Sequence, residues 1–355
     1  MARIVIIGAG FGGIEVARHL RDFDVTLINR SEKFVYHPSI PFYVSGKRTK
    51  KRFVFSLVKF AKKRGINFVK ETVTKLDVKK KQVHTKDKKF EYDYLVLSTG
   101  SATNYRDIPG LQKNSIALKE QSDTLKKKLG EISSGTIIIG GGGMSGVEIA
   151  MEIREAMPEK VEVKILEAMH RILSQMPQKL SDKTTKFLEK ANVSIETDAI
   201  ITKVSKGRTH LKDKKILDFD LLVWCGGIKP AGIMKKTGLT SSPRGHLLTN
   251  QYLQSIDDAN VYGLGDCASI INPSTGKPIP ATAHNAMEQG KTVAENIRRS
   301  IINFDLEPYV PWDAPMILTL GSKTAVLTYK NWSIKGMPLR WMKDLIEVSY
   351  IATHR

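Results

Sequence analysis

The sequence predicts an α/β protein with two interleaved Rossmann-like domains and a small C-terminal amphipathic segment. Two observations predict this fold. A short apolar run, a glycine turn and a helix-forming segment follow one another twice, at residues 3–20 and again at residues 136–153. The chain has 355 residues, which is more than one hydrophobic core usually supports, so the two units are expected to form separate domains.

The composition is that of a globular and strongly basic chain. It has 41% hydrophobic and 26% charged residues, and 56 Lys and Arg against 36 Asp and Glu leave a formal net charge of +20. Such a charge favours anionic partners. The basic runs at 47–52, 79–81 and 126–128 have no aromatic stacking platform or groove-reading motif beside them. Solvated faces are therefore the favoured interpretation of these runs, and nucleic acid is not expected as a partner.

Neither a secretory signal nor a membrane-spanning segment is predicted. Met1 is followed almost at once by the apolar residues 4–7, without a basic region or a small-residue cleavage site. No apolar stretch approaches the roughly 18 residues that a spanning helix needs, so any membrane contact is expected to be peripheral, on the cytoplasmic side. Two cysteines, Cys225 and Cys267, provide neither a disulfide framework nor a four-cysteine metal site, and no metal is predicted.

The first glycine turn predicts a dinucleotide site. Gly8 allows a tight turn, Gly10 lets the backbone approach a pyrophosphate, and Gly13 lets helix and strand pack closely. The phosphates then lie at the positive N-terminus of the helix. The predicted phosphate loop comprises Gly8, Gly10, Phe11, Gly12 and Gly13.

The next strand of this unit ends at Asn29 and Arg30. An acidic residue usually occupies the first of these places and bonds a ribose hydroxyl. Asn29 forms such a bond without charge, so both residues are predicted to lie at the adenosine end of the ligand.

The second glycine turn repeats the diagnostic spacing and predicts a second dinucleotide. Its loop comprises Gly141, Gly143, Met144 and Gly146. The following strand ends at Glu167, whose carboxylate suits a ribose 2′-hydroxyl and repels a 2′-phosphate. The second ligand is therefore predicted to be NADH rather than NADPH, although His170 and Arg171 lie close enough in sequence to weaken that preference.

Further strand-ending turns give the pattern its specificity. Apolar strands end at Thr99 and Gly100, at Gly226 and Gly227, and at Gly265 and Asp266. Together with the two glycine loops, these turns resemble the two-dinucleotide flavoprotein superfamily that includes the disulfide reductases, over about residues 1–305. The resemblance implies that Asp266 binds the ribitol chain of FAD, so that FAD occupies the first loop and NADH the second.

Within the superfamily the chain resembles type II NADH:quinone oxidoreductases, with sulfide:quinone oxidoreductases and the apoptosis-inducing-factor group as near relatives. Residues 280–290 resemble the quinone-side helix of the type II enzymes, which places Thr282 and Ala283 at the flavin. That family usually carries glutamines where this chain has His284 and Glu288, so these two residues are predicted to be catalytic. Ordinary helix-surface roles remain an alternative for both.

The resemblance implies hydride transfer from NADH to the flavin, followed by electron transfer to a membrane quinone. Glu148 and Glu152, one helical turn apart after the second glycine loop, are predicted to position the nicotinamide and to support orientation or proton transfer. Ion pairing is the alternative. A sulfide-oxidising enzyme would need paired thiols beside the flavin. Residues 34–47 nevertheless resemble the sulfide branch, and a slowly turning, apoptosis-inducing-factor-like signalling protein is a third interpretation.

Residues 338–351 have helical periodicity with one broad apolar face. The resemblance implies membrane contact, with Trp341 and Tyr350 at the headgroup level. Docking on the FAD domain or pairing in a homodimer are alternatives.

The predicted domains are 1–105 with 236–305 for FAD, 106–235 for NADH, and 306–355 as the contact segment. The predicted location is the inner face of the cell membrane.

Overall fold

The computed structural model describes residues 1–330 and 332–355, and it confirms the predicted fold class. Two parallel five-stranded sheets each carry one glycine loop at the end of the central strand. In spatial order, the strands of the first sheet are Val261–Gly263, Tyr94–Leu97, Arg3–Ile7, Asp24–Asn29 and Asn67–Lys70. Those of the second sheet are Ile116–Ala117, Leu221–Trp224, Gly135–Gly140, Val161–Leu166 and Val193–Glu196.

The two units share a further feature. In each unit a three-stranded antiparallel sheet comes just before one of the two strands that pair with the glycine-loop strand. That strand is Tyr94–Leu97 in the first unit and Leu221–Trp224 in the second. In the first unit these strands are Lys75–Asp77, Gln82–His84 and Lys89–Glu91. In the second they are Ile201–Ser205, Arg208–Leu211 and Ile216–Asp218. The units are therefore structural repeats of one another.

The first unit is completed only after the second has been traversed. Strand Ser101–Thr103 leads into the second unit and pairs antiparallel with Ile228–Pro230, which leads out of it. Strand Val261–Gly263 then joins the first sheet beside Tyr94–Leu97. The predicted interleaving is thus confirmed.

Helices cover the sheets and connect the units. They are Phe11–His19, Ile40–Val44, Lys50–Phe53, Leu57–Lys62, Leu111–Asn114, Ser122–Leu129, Met144–Ala156, Gln178–Lys190, Ala283–Ile301 and Met337–His354, with 3₁₀ turns at His37–Ser39, Gly232–Lys236 and Gly265–Cys267. Short strand pairs join Lys33–Val35 to Val54–Ser56 and Leu247–Leu248 to Ala268–Ser269. Among the residues that the structure describes, no helix is long and apolar enough to cross a membrane.

The central strands, which carry the glycine loops, are apolar along most of their length because both faces of each sheet are covered. Ile4 and Ile6 pack into one core cluster, whereas Val5 and Ile7 pack into another on the opposite face. The long helix Ala283–Ile301 lies against the first glycine-loop helix. A Cβ atom at Gly290 would lie 2.7 Å from the carbonyl oxygen of Gly12, so glycine permits this close approach.

The C-terminal segment forms an antiparallel sheet and the predicted helix. The strands are Met316–Thr319, Ala325–Tyr329 and Trp332–Gly336. Helix Met337–His354 is called the C-terminal helix below. Unlike an ordinary surface helix, it turns charged residues toward the protein and apolar residues toward the surface. It buries the charged residues Arg340 and Glu347, whereas Trp341 and Leu345 are 62% and 68% exposed.

A buried ionic cluster holds the charged face of this helix against the rest of the protein. The Arg48 guanidinium donates to the carboxylates of Glu347 and Asp344 and, at 2.8 Å, to Ser39 Oγ. The ring of Phe42 lies between two guanidinium groups, with Arg48 at 4.4 Å and Arg340 at 4.2 Å from its centroid. We call these residues the Arg48 cluster. Because its charges are paired inside the protein, the opposite face of the helix turns to the surface.

The last turns of the C-terminal helix dock on the first unit. Tyr350 stacks on His354 with ring centroids 4.1 Å apart and also contacts Phe11 and Tyr36. His354 Nε2 lies 3.0 Å from Glu15 Oε1. Burial alone would raise the pKa of Glu15, but hydrogen bonds from His354 and Arg18 hold it at about 2. The prediction that Tyr350 lies at a headgroup level is wrong, because the apolar core of the first unit covers its ring.

Replacing Arg48 tests the role of the cluster. Arg48→Met should lower the free energy of unfolding by about 3–5 kcal/mol, because the buried carboxylate of Glu347 loses its guanidinium partner, whereas the half-buried Asp344 keeps Arg340. Lys50→Met is the matched control, since Lys50 pairs with Asp123 at the surface and such pairs contribute about 1 kcal/mol or less. Denaturant unfolding followed by circular dichroism measures both. Equal destabilisation by the two substitutions would contradict the assignment.

Candidate active site

The first glycine loop has the geometry of a phosphate cradle. Gly8 has φ of +99°, in the region that favours glycine, and turns the chain out of its strand. A Cβ at Gly13 would lie 2.0 Å from the carbonyl oxygen of Gly8, so the third glycine is needed for contact between strand and helix. A Cβ at Gly10 would meet no atom within 4 Å. Open space therefore remains where a pyrophosphate would approach.

The second loop repeats this geometry. Gly141 has φ of +109°, and a Cβ at Gly146 would lie 1.9 Å from the carbonyl oxygen of Gly141. Gly143 again faces open space. Within the described part of the chain, no side chain caps the helices that begin at Phe11 and Met144, which leaves their first N–H groups free for phosphate oxygens.

Asn29 and Glu167 occupy equivalent positions in the two units. Asn29 Oδ1 accepts a hydrogen bond from Ala9 N at 3.1 Å, and its amide donates to the carbonyl of Ser31 at 2.8 Å. Glu167 accepts from Gly142 N at 2.6 Å and from Met169 N at 2.8 Å. Each side chain thus holds the loop of its own unit, and the Glu167 carboxylate is fixed beside the second cradle.

Two residues that can carry positive charge, His170 and Arg171, follow Glu167 in the sequence. The Arg171 guanidinium donates to the carbonyls of Leu173, Ser174 and Met176 at 2.7–3.1 Å, so its hydrogen-bonding capacity is used within its own loop. His170 is exposed and Arg30 is exposed at the corresponding edge of the first unit. The expectation that His170 and Arg171 weaken a preference for NADH stays a prediction, because bonds to neutral carbonyls leave the charge of Arg171 in place.

Asp266 lies where the two units meet. Its Oδ2 accepts a hydrogen bond from Ser101 Oγ at 2.6 Å, and Lys119 Nζ donates to the same hydroxyl at 2.8 Å. Lys119 and Asp266 are 4.0 Å apart. Ser101 and Lys119 were not predicted from the sequence, since they belong to no motif and are far from Asp266 along the chain. Nearby, Thr99 Oγ1 is buried and has no hydrogen-bond partner among the described residues, which suits a polar ligand.

The other strand-ending turns adopt left-handed backbone conformations. Their φ angles are +64° at Gly100, +123° at Gly227 and +65° at Gly265. Gly265 N also donates to Gln289 Oε1 at 2.8 Å, which attaches this turn to the long helix. The three turns therefore place their backbone at the carboxyl ends of the strands, where ligands of such sheets bind.

The long helix begins beside these turns. Thr282 is its N-cap, and Thr282 Oγ1 accepts a hydrogen bond from Asn285 N at 3.1 Å, so Ala283 is its first residue. The edge of the His284 ring faces Trp312 with centroids 5.2 Å apart, and His284 Nε2 is buried without a partner among the described residues. Trp312 was not predicted as a site residue, because it lies in an irregular segment.

Glu288 does not join His284. Its carboxylate pairs with Lys291 at 2.7 Å on the same helix. The structure therefore places His284 beside Trp312 and Glu288 in an i,i+3 ion pair with Lys291, so the two predicted acceptor-side residues have different partners.

Glu148 and Glu152 are buried in ion pairs. Glu148 Oε1 accepts from Lys343 Nζ at 2.6 Å and from Thr319 N at 2.9 Å. Glu152 Oε2 accepts from Ser45 Oγ at 2.7 Å and lies 2.9 Å from Lys47 Nζ. Both carboxylates thus connect the second glycine-loop helix to other parts of the chain, an outcome that fits the ion-pair alternative.

The two cysteines lie in different units, each shortly after a strand of the parallel sheet. Cys267 Sγ donates to the carbonyls of Leu97 and Leu264 at 3.2 Å in the first unit. Cys225 follows strand Leu221–Trp224 of the second unit, where burial raises the pKa of its thiol to about 12. A thiol with a raised pKa is a poor nucleophile at neutral pH.

Two glycine loops with this geometry on duplicated parallel sheets are typical of proteins that bind two dinucleotides. The chain belongs to the pyridine nucleotide-disulphide oxidoreductase family, whose sequence model matches residues 2–290, and it is therefore a flavin-dependent oxidoreductase. A type II NADH:quinone oxidoreductase from Staphylococcus aureus strain MSSA476 is 26% identical over 378 aligned positions, which cover 97% of this chain and 94% of that protein.

Solved structures share the fold over the whole chain. The sulfide:quinone oxidoreductase from Aquifex aeolicus is 20% identical with a TM-score of 0.89, and the match covers 100% of this chain and 92% of that one. NDH2 from Plasmodium falciparum in complex with NADH is 19% identical with a TM-score of 0.89, covering 100% and 95%. At this identity the likeness concerns the fold.

Glu167→Gln tests the second cradle. Gln retains an oxygen acceptor for a backbone N–H but loses the charge, so binding of NADH should weaken and binding of NADPH should strengthen. The ratio of their dissociation constants should narrow roughly tenfold, as expected for loss of a charged hydrogen bond. Stopped-flow titration of flavin reduction with each nucleotide measures this ratio. An unchanged ratio in a variant that keeps the wild-type melting temperature would show that Glu167 does not face the ribose.

Proposed function

We propose that this protein is a peripheral NADH:quinone oxidoreductase, which takes a hydride from NADH and passes two electrons to a membrane quinone. The observation that carries the proposal is the second phosphate cradle, with the Glu167 carboxylate fixed beside it. An enzyme with another electron donor has no need of such a site. The S. aureus relative, which is similar along almost the whole chain, supports quinone as the acceptor.

We assign FAD to the first cradle and NADH to the second. When bound, FAD supplies the acceptor for the nicotinamide hydride and the donor for the second substrate. The open space at Gly10 and the unpartnered Thr99 Oγ1 support the first assignment, and the Asp266 carboxylate offers an acceptor for sugar-chain hydroxyls. In this proposal 1–105 and 236–305 form the FAD domain, 106–235 the NADH domain, and 306–355 the contact segment.

The residues of the chain supply binding and orientation. The N-terminus of the long helix, at Thr282 and Ala283, presents free N–H groups and a positive dipole end, which favours negative charge developing nearby. His284 Nε2 offers a hydrogen bond to a quinone oxygen. Glu148 is held by Lys343 and Thr319, so it acts in this scheme by positioning the loop helix.

Sulfide oxidation fits less well. That chemistry uses two thiols close to the flavin, whereas burial raises the pKa of both Cys225 and Cys267, and the two residues follow strands of different units. A signalling flavoprotein with slow catalytic turnover would share the NADH site. The rate of turnover with a quinone distinguishes such a protein from the proposed enzyme.

The exposed face of the C-terminal helix supports membrane contact. Trp341, Leu345, Ile346 and Val348 are all exposed there. Their apolar side chains and the net charge of +20 suit the interface of an anionic membrane. We therefore propose that the protein binds peripherally to the inner face of the cell membrane. The same face could instead pair two copies of the protein in a homodimer. The double substitution on this helix described below distinguishes membrane contact from dimerisation.

The proposed reaction is tested by mixing the flavin-loaded protein with NADH, NADPH or sulfide. NADH should reduce the flavin fastest, and a water-soluble quinone should then reoxidise it. Cys225→Ser and Cys267→Ser should each keep at least half of the activity, because no dithiol step is involved. Rapid reduction by sulfide, with loss of activity in a cysteine variant that retains its flavin, would overturn the proposal in favour of sulfide oxidation.

Trp341→Ser with Leu345→Ser tests the membrane contact. The double variant should bind anionic vesicles at least tenfold more weakly, because two fully inserted side chains of this size contribute several kcal/mol. Ile216→Ser, which removes an exposed apolar residue from the second unit, is the control and should bind normally. Vesicle sedimentation and light scattering measure binding and oligomeric state. Conversion of a dimer to a monomer without a change in vesicle binding would assign this face to dimerisation.

A truncation is a poorer test of the same contact. Removing residues 338–355 would leave Arg48, Glu15 and Glu148 without their partners on the C-terminal helix. It would also uncover the ring of Phe11 at the first cradle. Such a variant should lose stability and flavin together, so loss of vesicle binding would follow from either role of the helix.

A further inference from the structure

Two basic segments meet at the carboxyl end of the C-terminal helix. Lys51 belongs to the run at 47–52, and Lys59 and Lys63 follow on the next helical segment. The fold brings them beside Arg355, the residue that follows this helix. Together they surround a surface pocket of about 510 Å³, lined by Lys51, Val54, Phe55, Ser56, Lys59, Lys63 and Arg355.

The lining of this pocket combines cations with an apolar floor. Lys51 and Lys59 are exposed and have no carboxylate partner among the described residues. Lys63 Nζ donates to the carbonyl of Arg355 at 2.9 Å, and the Arg355 guanidinium donates to the carbonyls of Lys51 and Val54. Phe55 is buried beneath them. Among the described residues, no Asp or Glu side chain lines the pocket, so the side-chain charge around it is positive.

Arg355, which lines the pocket, lies on the same side of the C-terminal helix as the exposed apolar face of that helix. Trp341, Leu345 and Val348 lie on that face, and Ala352 extends it to within one turn of Arg355. The surface is thus apolar along the helix and cationic at its end. A phospholipid has the complementary arrangement, with a negative phosphate directly above its acyl chains.

We infer that this pocket binds the phosphate of an anionic phospholipid headgroup, while the acyl chains of that lipid lie along the exposed face of the helix. The inference rests on the membrane contact proposed above and names its lipid class. Inorganic phosphate would satisfy the lysines but would leave the apolar floor and the helix face uncovered. A lipid satisfies both.

The experiment compares two double variants that lose the same net charge. Lys59→Gln with Lys63→Gln removes cations from the pocket, whereas Lys79→Gln with Lys80→Gln removes them from an exposed turn of the first unit. Each full-length, flavin-loaded protein is sedimented with vesicles of phosphatidylcholine, or of phosphatidylcholine and phosphatidylglycerol in equal parts. The pocket variant should bind the mixed vesicles roughly 10- to 30-fold more weakly than the wild type, and the control variant within about threefold.

Two outcomes would overturn the inference. Equal weakening by both double variants would show that the overall charge attracts the protein and that the pocket has no special role. Binding of inorganic phosphate in a Lys59-dependent manner, without preference for phosphatidylglycerol vesicles, would show a site for free anions. Reduction of a water-soluble quinone by NADH is recorded for every protein. It should be unchanged in both variants, so failure of the pocket and failure of the proposed enzyme are separate results.

Discussion

The orientation of the C-terminal helix depends on the pairing of buried charge. A guanidinium or carboxylate inside a protein is tolerated only when its partner is also inside. Arg48 meets Glu347 and Asp344 in this way, and Lys343 meets Glu148 on the second glycine-loop helix. These pairs decide which face of the helix turns inward. The outward face is then apolar by necessity, and the surface on which membrane contact and lipid binding are proposed is a consequence of the ionic interior.

The nucleotide-binding part of the fold could be predicted because its constraints are local. A strand, a turn at φ of +99° or +109°, and a helix that touches its own strand need glycine at fixed spacing, and the sequence carries that spacing twice. Asn29 and Glu167 could be predicted to lie beside the glycine loops for a similar reason, since Asn29 ends and Glu167 directly follows the strand after a glycine loop. Short-range geometry of this kind leaves a clear pattern of residues.

Long-range pairings left no such pattern. The periodicity of residues 338–351 identified the two faces of a helix, but not which face is buried, since that depends on Arg48 nearly 300 positions earlier. Tyr350 was assigned to the surface for this reason. The three-dimensional fold was likewise needed to place Ser101 and Lys119 beside Asp266, and Trp312 beside His284. The partners of Glu148 and Glu152 come from the C-terminal helix and from residues 45–47, so their ion pairing could be offered only as an alternative.

The interleaved topology imposes an order on folding during synthesis. The second unit is continuous in sequence, whereas the first sheet lacks its edge strand Val261–Gly263, and its glycine-loop helix lacks the covering helix Ala283–Ile301, until most of the chain has been made. At about 5–20 residues per second, the apolar strands around Ile4 and Leu95 wait about 10–60 seconds before the elements that complete their unit have been made. The domain that emerges first is therefore completed last, and its exposed strands in that interval are the natural targets of a holding chaperone.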